Sequence, residues 1–96
     1  MTDATQMGRG IKAIVTIKLA DHGTKARKRW IEELENTDAV SQIYAVSGDI
    51  DVIVIMTVGS MAQFQSLSKK LYGDNENVLQ FVSQFVLEEH KFDIAN

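Results

Sequence analysis

The sequence has no cysteine and no proline. Without cysteine there are no disulfides, no thiol nucleophile and none of the common zinc frameworks, a composition compatible with a reducing compartment. No apolar run nears the roughly 20 residues that span a bilayer, and the opening MTDATQMGRG lacks the apolar centre of a secretion signal. A cytoplasmic protein with no membrane partner is expected. Basic residues are outnumbered, giving a net charge of -3, which opposes the phosphate neutralisation behind sequence-independent nucleic-acid binding. No direct nucleic-acid contact is expected. No phosphate-cradling G-x-x-x-x-G-K run exists, and the two histidines, His22 and His90, have no ligand spacing. No metal, no cofactor and no catalytic residues are therefore assigned, and the chain does not read as an enzyme.

What is present suffices for one folded domain. The 96 residues are 45% hydrophobic and 24% charged, too apolar for a disordered chain and long enough to bury roughly 60 to 65% of the unfolded surface. Residues 1–10 form a polar, aperiodic lead-in that reads as flexible, with Gly10 as its last breaker. From Ile11 to Leu19 apolar residues alternate with Lys12, Thr16 and Lys18, the period of a strand with one face on a core. Asp21 to Gly23 breaks the strand. Ala26, Trp30, Ile31 and Leu34 then make a helical stripe ending near Asn36. Ala39 to Ser47 and Ile50 to Val58 are β-rich runs separated by Gly48 and Asp49, which predicts a two-residue type II′ hairpin. Ser60 is placed to cap a second helix burying Met61, Phe64, Leu67 and Leu71, and Gly73 stops it. After the polar turn Asn75 to Asn77, a last extended run from Val78 to about Lys91 carries Phe81, Val82, Phe85, Val86 and Leu87.

The order is βαββαβ. Right-handed crossovers put both helices on one face of a single sheet. The expected fold is therefore α+β, a ferredoxin-like sandwich whose four-stranded antiparallel sheet has two helices on one face. Hairpin register assigns Ile43, Ala45, Val52, Val54 and Met56 to the helices and leaves Tyr44, Val46, Asp51, Ile53 and Ile55 on the uncovered face. Four of those five are large and apolar, where a solvated face would be polar. A symmetric homodimer, a dimeric α/β-barrel-type assembly with Tyr44, Val46, Ile53 and Ile55 at its interface, removes that surface from water.

RNA-recognition domains share the order but show aromatic residues on the third strand, and here that strand is IDVIVIMTV. The basic run KARKR, with Lys25, Arg27, Lys28 and Arg29, precedes Glu32, Glu33 and Glu35 on the first helix, and both groups oppose the helix dipole. Pairs such as Lys28 with Glu32 and Arg29 with Glu33 have supporting spacing. The run is either a solvated helix face or a contact with acid on a neighbouring subunit. Asp49 suits a turn on conformational grounds alone. Asp51, on an apolar face, calls for a cation such as the ammonium group of an amino acid, with the backbone around Ser47 and Gly48 receiving the carboxylate.

The opening GRGIKAIV, the hairpin IYAVSGDIDVIV and the closing SQFVLEEHKFD resemble the C-terminal effector-binding domain of the Lrp/AsnC (leucine-responsive, feast/famine) transcriptional regulators. The resemblance implies an 11–96 ligand-binding domain whose sheet-to-sheet dimers assemble further, to tetramers or octamers, with a small amino-acid effector between dimers. Carried onto this sequence, Tyr44, Val46, Ser47, Gly48, Asp49 and Asp51 line one side of that pocket, with Ser83 and Phe85 of a neighbour as further candidates. Family regulators place a helix-turn-helix domain ahead of this one, for which the ten residues before the first strand are too few. Either the chain stands alone and joins full-length Lrp/AsnC regulators, or it is part of a longer regulator. Its expected role is to sense a ligand and alter assembly in transcriptional control. The alternatives are a small dimeric α/β-barrel enzyme such as a cofactor-free oxygenase, and an ACT-type regulatory domain.

Overall fold

Alternation along the first segment becomes strand β1 (Ile11–Leu19), whose Ala13, Val15, Ile17 and Leu19 are all buried. The computed structural model describes residues 10–20 and 24–91. The lead-in before Gly10, the break at Asp21 to Gly23 with its His22, and the last five positions lie outside the described residues. Helix α1 (Thr24–Glu35) follows, then strands β2 (Val40–Ala45) and β3 (Val52–Val58), helix α2 (Met61–Ser68) running into a π-helical turn at Lys69–Gly73, and strand β4 (Val78–Phe85). The strands form one antiparallel sheet in the order β2-β3-β1-β4. This is the ferredoxin-like sandwich expected from the order of elements.

One side of that sheet is the core. Val52, Val54, Met56 and Val58 of β3 join the inward residues of β1 under Trp30, Leu34, Phe64, Leu71 and Tyr72. Burying a side chain of this size is worth roughly 1.5–3 kcal/mol, so the layer dominates stability. The stripe on α1 departs from expectation at its start, since Ala26 is exposed and Arg27, three residues before Trp30, is half-buried in its place. Its long aliphatic stem covers apolar surface while the charge stays wet.

The cap on α2 forms as expected. Ser60 Oγ accepts the Gln63 N–H at 3.1 Å, and Gln63 Oε1 accepts the Gly59 N–H at 2.7 Å, so two donors at the helix start are satisfied reciprocally. Phe64 and Leu71 are buried and Leu67 half-buried, but Met61 is 43% exposed, being at the very start of the helix. In the π-helical turn Asp74 N–H donates to the Lys69 carbonyl at 2.7 Å. The Leu71 carbonyl instead accepts the buried Trp30 indole N–H at 3.0 Å, tying the two helices together. The Tyr72 phenol donates to Met56 Sδ at 3.2 Å, and burial pushes its pKa above the ordinary tyrosine value.

Three expectations for the strands need correction. The hairpin is not a two-residue turn: β2 stops at Ala45 and β3 starts at Val52, and the last bond between them runs from Val46 N–H to the Asp51 carbonyl at 3.0 Å. Ser47 to Ile50 form a wider tip in which Gly48 has φ +115, a conformation that favours glycine. The tip opens because Asp51 is drawn to β1, its N–H donating to the Ile17 carbonyl at 2.9 Å. Strand β4 ends at Phe85 and not near Lys91; Val86 N–H still donates to the Lys12 carbonyl at 2.9 Å, and Leu87 beyond it is 92% exposed. Ala45, assigned to the helices, is exposed at the hairpin end of an edge strand.

Candidate functional site

Cross-strand partners share a face, so the registers lay out the side of the sheet that carries no helix in rows. Gln42, Ile55, Ile14 and Gln84 form one row, and Tyr44, Ile53, Thr16 and Val82 the next. Nearer the hairpin come Val46 and Asp51, bonded through their backbones, and Lys18 opposite Gln80. Tyr44, Val46, Ile53 and Ile55 do fall on one face, and Ile14 and Val82 extend their apolar patch. Tyr44 is 50% exposed and Val82 45%, unusual for side chains of this kind.

The row at the hairpin end is polar, and it borders an open cleft of about 250 Å³ lined by Thr16, Lys18, Asp49, Ile50, Gln80 and Val82. The volume lies below the roughly 300–1,000 Å³ of drug-sized ligand sites, which suits a small metabolite. A cation from β1, an anion from the hairpin tip, a hydroxyl and an amide surround it, with Val82 and Ile50 as apolar wall. Such a set complements a small zwitterion: Lys18 for a carboxylate, Asp49 for an ammonium group, Gln80 and Thr16 for hydrogen bonds to either.

Asp51 has a different task. One carboxylate oxygen accepts the Leu19 N–H at 2.8 Å in a part-buried setting. The side chain thus replaces a main-chain acceptor at the end of β1, where pairing with β4 also shifts at Lys18 and Leu19 and leaves Leu79 unpaired and 62% exposed. The cation that the sequence asked for is an amide. Ser47 and Gly48 sit exposed at the tip beside Asp49.

Ser83 and Phe85, expected to reach the pocket from a neighbouring copy, lie within their own chain on the other face of the sheet. They pair with Val15 and Ala13 and so stand on the helix side of the sheet, where Phe85 packs edge-to-face on Phe64 at 5.0 Å. Sequence reasoning missed Thr16, Lys18, Ile50, Gln80 and Val82. The polar alternation of β1 pointed to the first two; the pairing of β1 with β4, which brings Gln80 beside Lys18, has no local signal. His90 is exposed, its Nε2 3.1 Å from Glu88. No metal-holding group of side chains occurs among the described residues, and no helix among them is long and apolar enough to cross a membrane.

A family model described as the Lrp/AsnC ligand binding domain matches residues 12–95. An uncharacterised helix-turn-helix-type transcriptional regulator of Sinorhizobium fredii is 26% identical over 89 residues, covering 93% of this chain and 53% of that protein. The glutamate uptake regulatory protein of Zymomonas mobilis is 28% identical over 71 residues, 74% of this chain and 43% of that protein. The chain thus spans about half the length of the curated relatives it matches (53% and 43%). Among solved structures, a transcriptional regulator of Neisseria meningitidis in complex with L-Met shares the fold, with a TM-score of 0.85 at 18% identity over 100% of this chain and 62% of that one.

Proposed function

Because the chain belongs to the Lrp/AsnC family through its ligand-binding domain, we propose that it senses a small amino acid at the hairpin-end cleft and changes its assembly state in response. The family is one of transcriptional regulators. The observation that carries the finer reading is the presence of both Lys18 and Asp49 in the lining of a metabolite-sized cleft. The names of two relatives, one crystallised with L-Met and one a glutamate uptake regulator, support the ligand class.

The apolar rows beside the cleft are the surface through which two copies join, burying Tyr44, Val46, Ile53 and Ile55. A few hundred Å² per partner at about 25 cal/mol per Å² gives several kcal/mol before association costs. The cleft lies at the rim of that surface, so an occupant with greater affinity for one arrangement of copies shifts the equilibrium toward it by that difference and no more. The role needs no catalysis or cofactor, and a cytoplasmic setting with contact to full-length Lrp/AsnC regulators fits it. Asp51 serves by holding the hairpin to β1, and Ser47 and Gly48 offer backbone donors at the tip.

The test is calorimetric titration of all twenty amino acids, with native mass spectrometry of the same samples. At least one should bind, change the oligomer distribution, and lose affinity in Lys18→Gln and Asp49→Asn. Silence from all twenty, or binding untouched by both substitutions, overturns the reading.

A further inference from the structure

The charges of α1 run against its dipole: Lys25, Lys28 and Arg29 occupy the first half and Glu32, Glu33 and Glu35 the second, with no acid in the first turn and no base in the last. All six are exposed and lie outside the stripe that buries Trp30 and Leu34. Lys28 and Glu32, or Arg29 and Glu33, have the spacing to pair within the helix, yet none of the six forms an ion pair among the described residues. The helix therefore carries an ordering of charge that costs it stability and that no ion pair among the described residues uses.

We propose that α1 is an interaction surface for the same helix of a second copy, the two running antiparallel about a twofold axis near mid-helix. The basic half of each then meets the acidic half of the other, Arg29 facing Glu32 of the second copy and Lys28 facing Glu33, each pair occurring twice by symmetry. A parallel arrangement would oppose like charges. The helix has 12 residues, about 18 Å at 1.5 Å each, enough for both pairs. Exposed pairs are individually weak, so the contact selects orientation and register more than it supplies affinity. Because α1 lies on the opposite side of the sheet from the uncovered face, this contact and a face-to-face one leave each other free. A protomer with two different twofold contacts closes into a ring of dimers or extends as a filament.

The experiment is sedimentation velocity of the full chain at ~50 mM and ~500 mM salt, where screening differs most. Three proteins are compared: wild type, Lys28→Glu/Arg29→Glu, and the inverted variant Lys28→Glu/Arg29→Glu/Glu32→Lys/Glu33→Lys. At low salt the wild type should associate through this helix, and high salt should weaken that step. The half-reversed variant should associate roughly tenfold or more weakly, and the inverted variant should recover, since its pattern is again self-complementary. Inversion also aligns charge with the dipole, so circular dichroism should show it folded and melting no lower than wild type. Should the uncovered sheet face not pair, the same comparison is read in the monomer–dimer step. Half-reversed protein associating like wild type, inverted protein staying as weak as half-reversed, or a wild type indifferent to salt would each overturn the proposal.

Discussion

Replacing Asp51 by alanine removes the acceptor that the Leu19 N–H uses at 2.8 Å, on a residue only 3% exposed. A bond to a charged acceptor contributes about 1.5–3 kcal/mol, and a buried donor left without one costs about 1–3 kcal/mol. The bond is part-buried, so the lower half of that range applies, about 1.5–2 kcal/mol. Asp51→Asn keeps a neutral acceptor in the same place and should cost about half as much. Urea unfolding at one fixed protein concentration measures both, the concentration being held because association shifts apparent stability. Amide exchange gives the local reading: Leu19 should lose roughly tenfold to thirtyfold protection in the alanine variant, with the middle of β1 changing less. Alanine and wild-type proteins alike in both assays would refute the structural role. Equal losses for Asn and Ala would show that charge, and not the acceptor position, is what matters.

Other outcomes follow from neighbouring features. Trp30→Phe leaves the Leu71 carbonyl without its 3.0 Å indole donor and should lower the free energy of unfolding by about 1–2 kcal/mol, read by urea titration. The Tyr72 phenol has a pKa raised by burial, so the unfolded chain ionises first, near pH 10. Its contribution is complete below that pH and is lost as pH rises toward the folded value, at up to about 1.4 kcal/mol per pH unit. Tyr72→Phe should flatten that decline in unfolding curves taken at successive alkaline pH values. Ile55→Lys puts a charge in the apolar rows and, in ~500 mM salt where the α1 contact is screened, should give a folded 10.7 kDa species by light scattering at micromolar concentration; a mass unchanged from wild type would remove the face-to-face dimer.

The periodic parts of this fold were legible because alternation in β1 and β3 is nearly unbroken, and because Ser60 and Gln63 sit three apart at a helix start. Hairpin register was also readable, since Ala45 with Val52 and Tyr44 with Ile53 pair as the apolar pattern requires. The tip was not. Its geometry depends on Asp51 bonding to β1, a partner 32 residues away in sequence that no turn rule consults. The cleft was half legible for the same reason: Asp49 stood out as a local feature, whereas Gln80 reaches Lys18 only through the β1–β4 pairing. Strand four is apolar on both sides, with Phe81 and Phe85 inward and Val82 outward, so periodicity alone does not say which of its residues meet the core.

The pairing of β1 with β4 also decides where the chain enters and leaves the sheet. The chain enters the sheet at Ile11 and leaves it at Phe85, beside Ala13. Both passages lie at the end of β1 away from Asp49 and Lys18, five to seven residues of strand from Lys18, or about 17–23 Å. A displacement at the hairpin end must cross most of the length of a stiff β-layer before it reaches those passages.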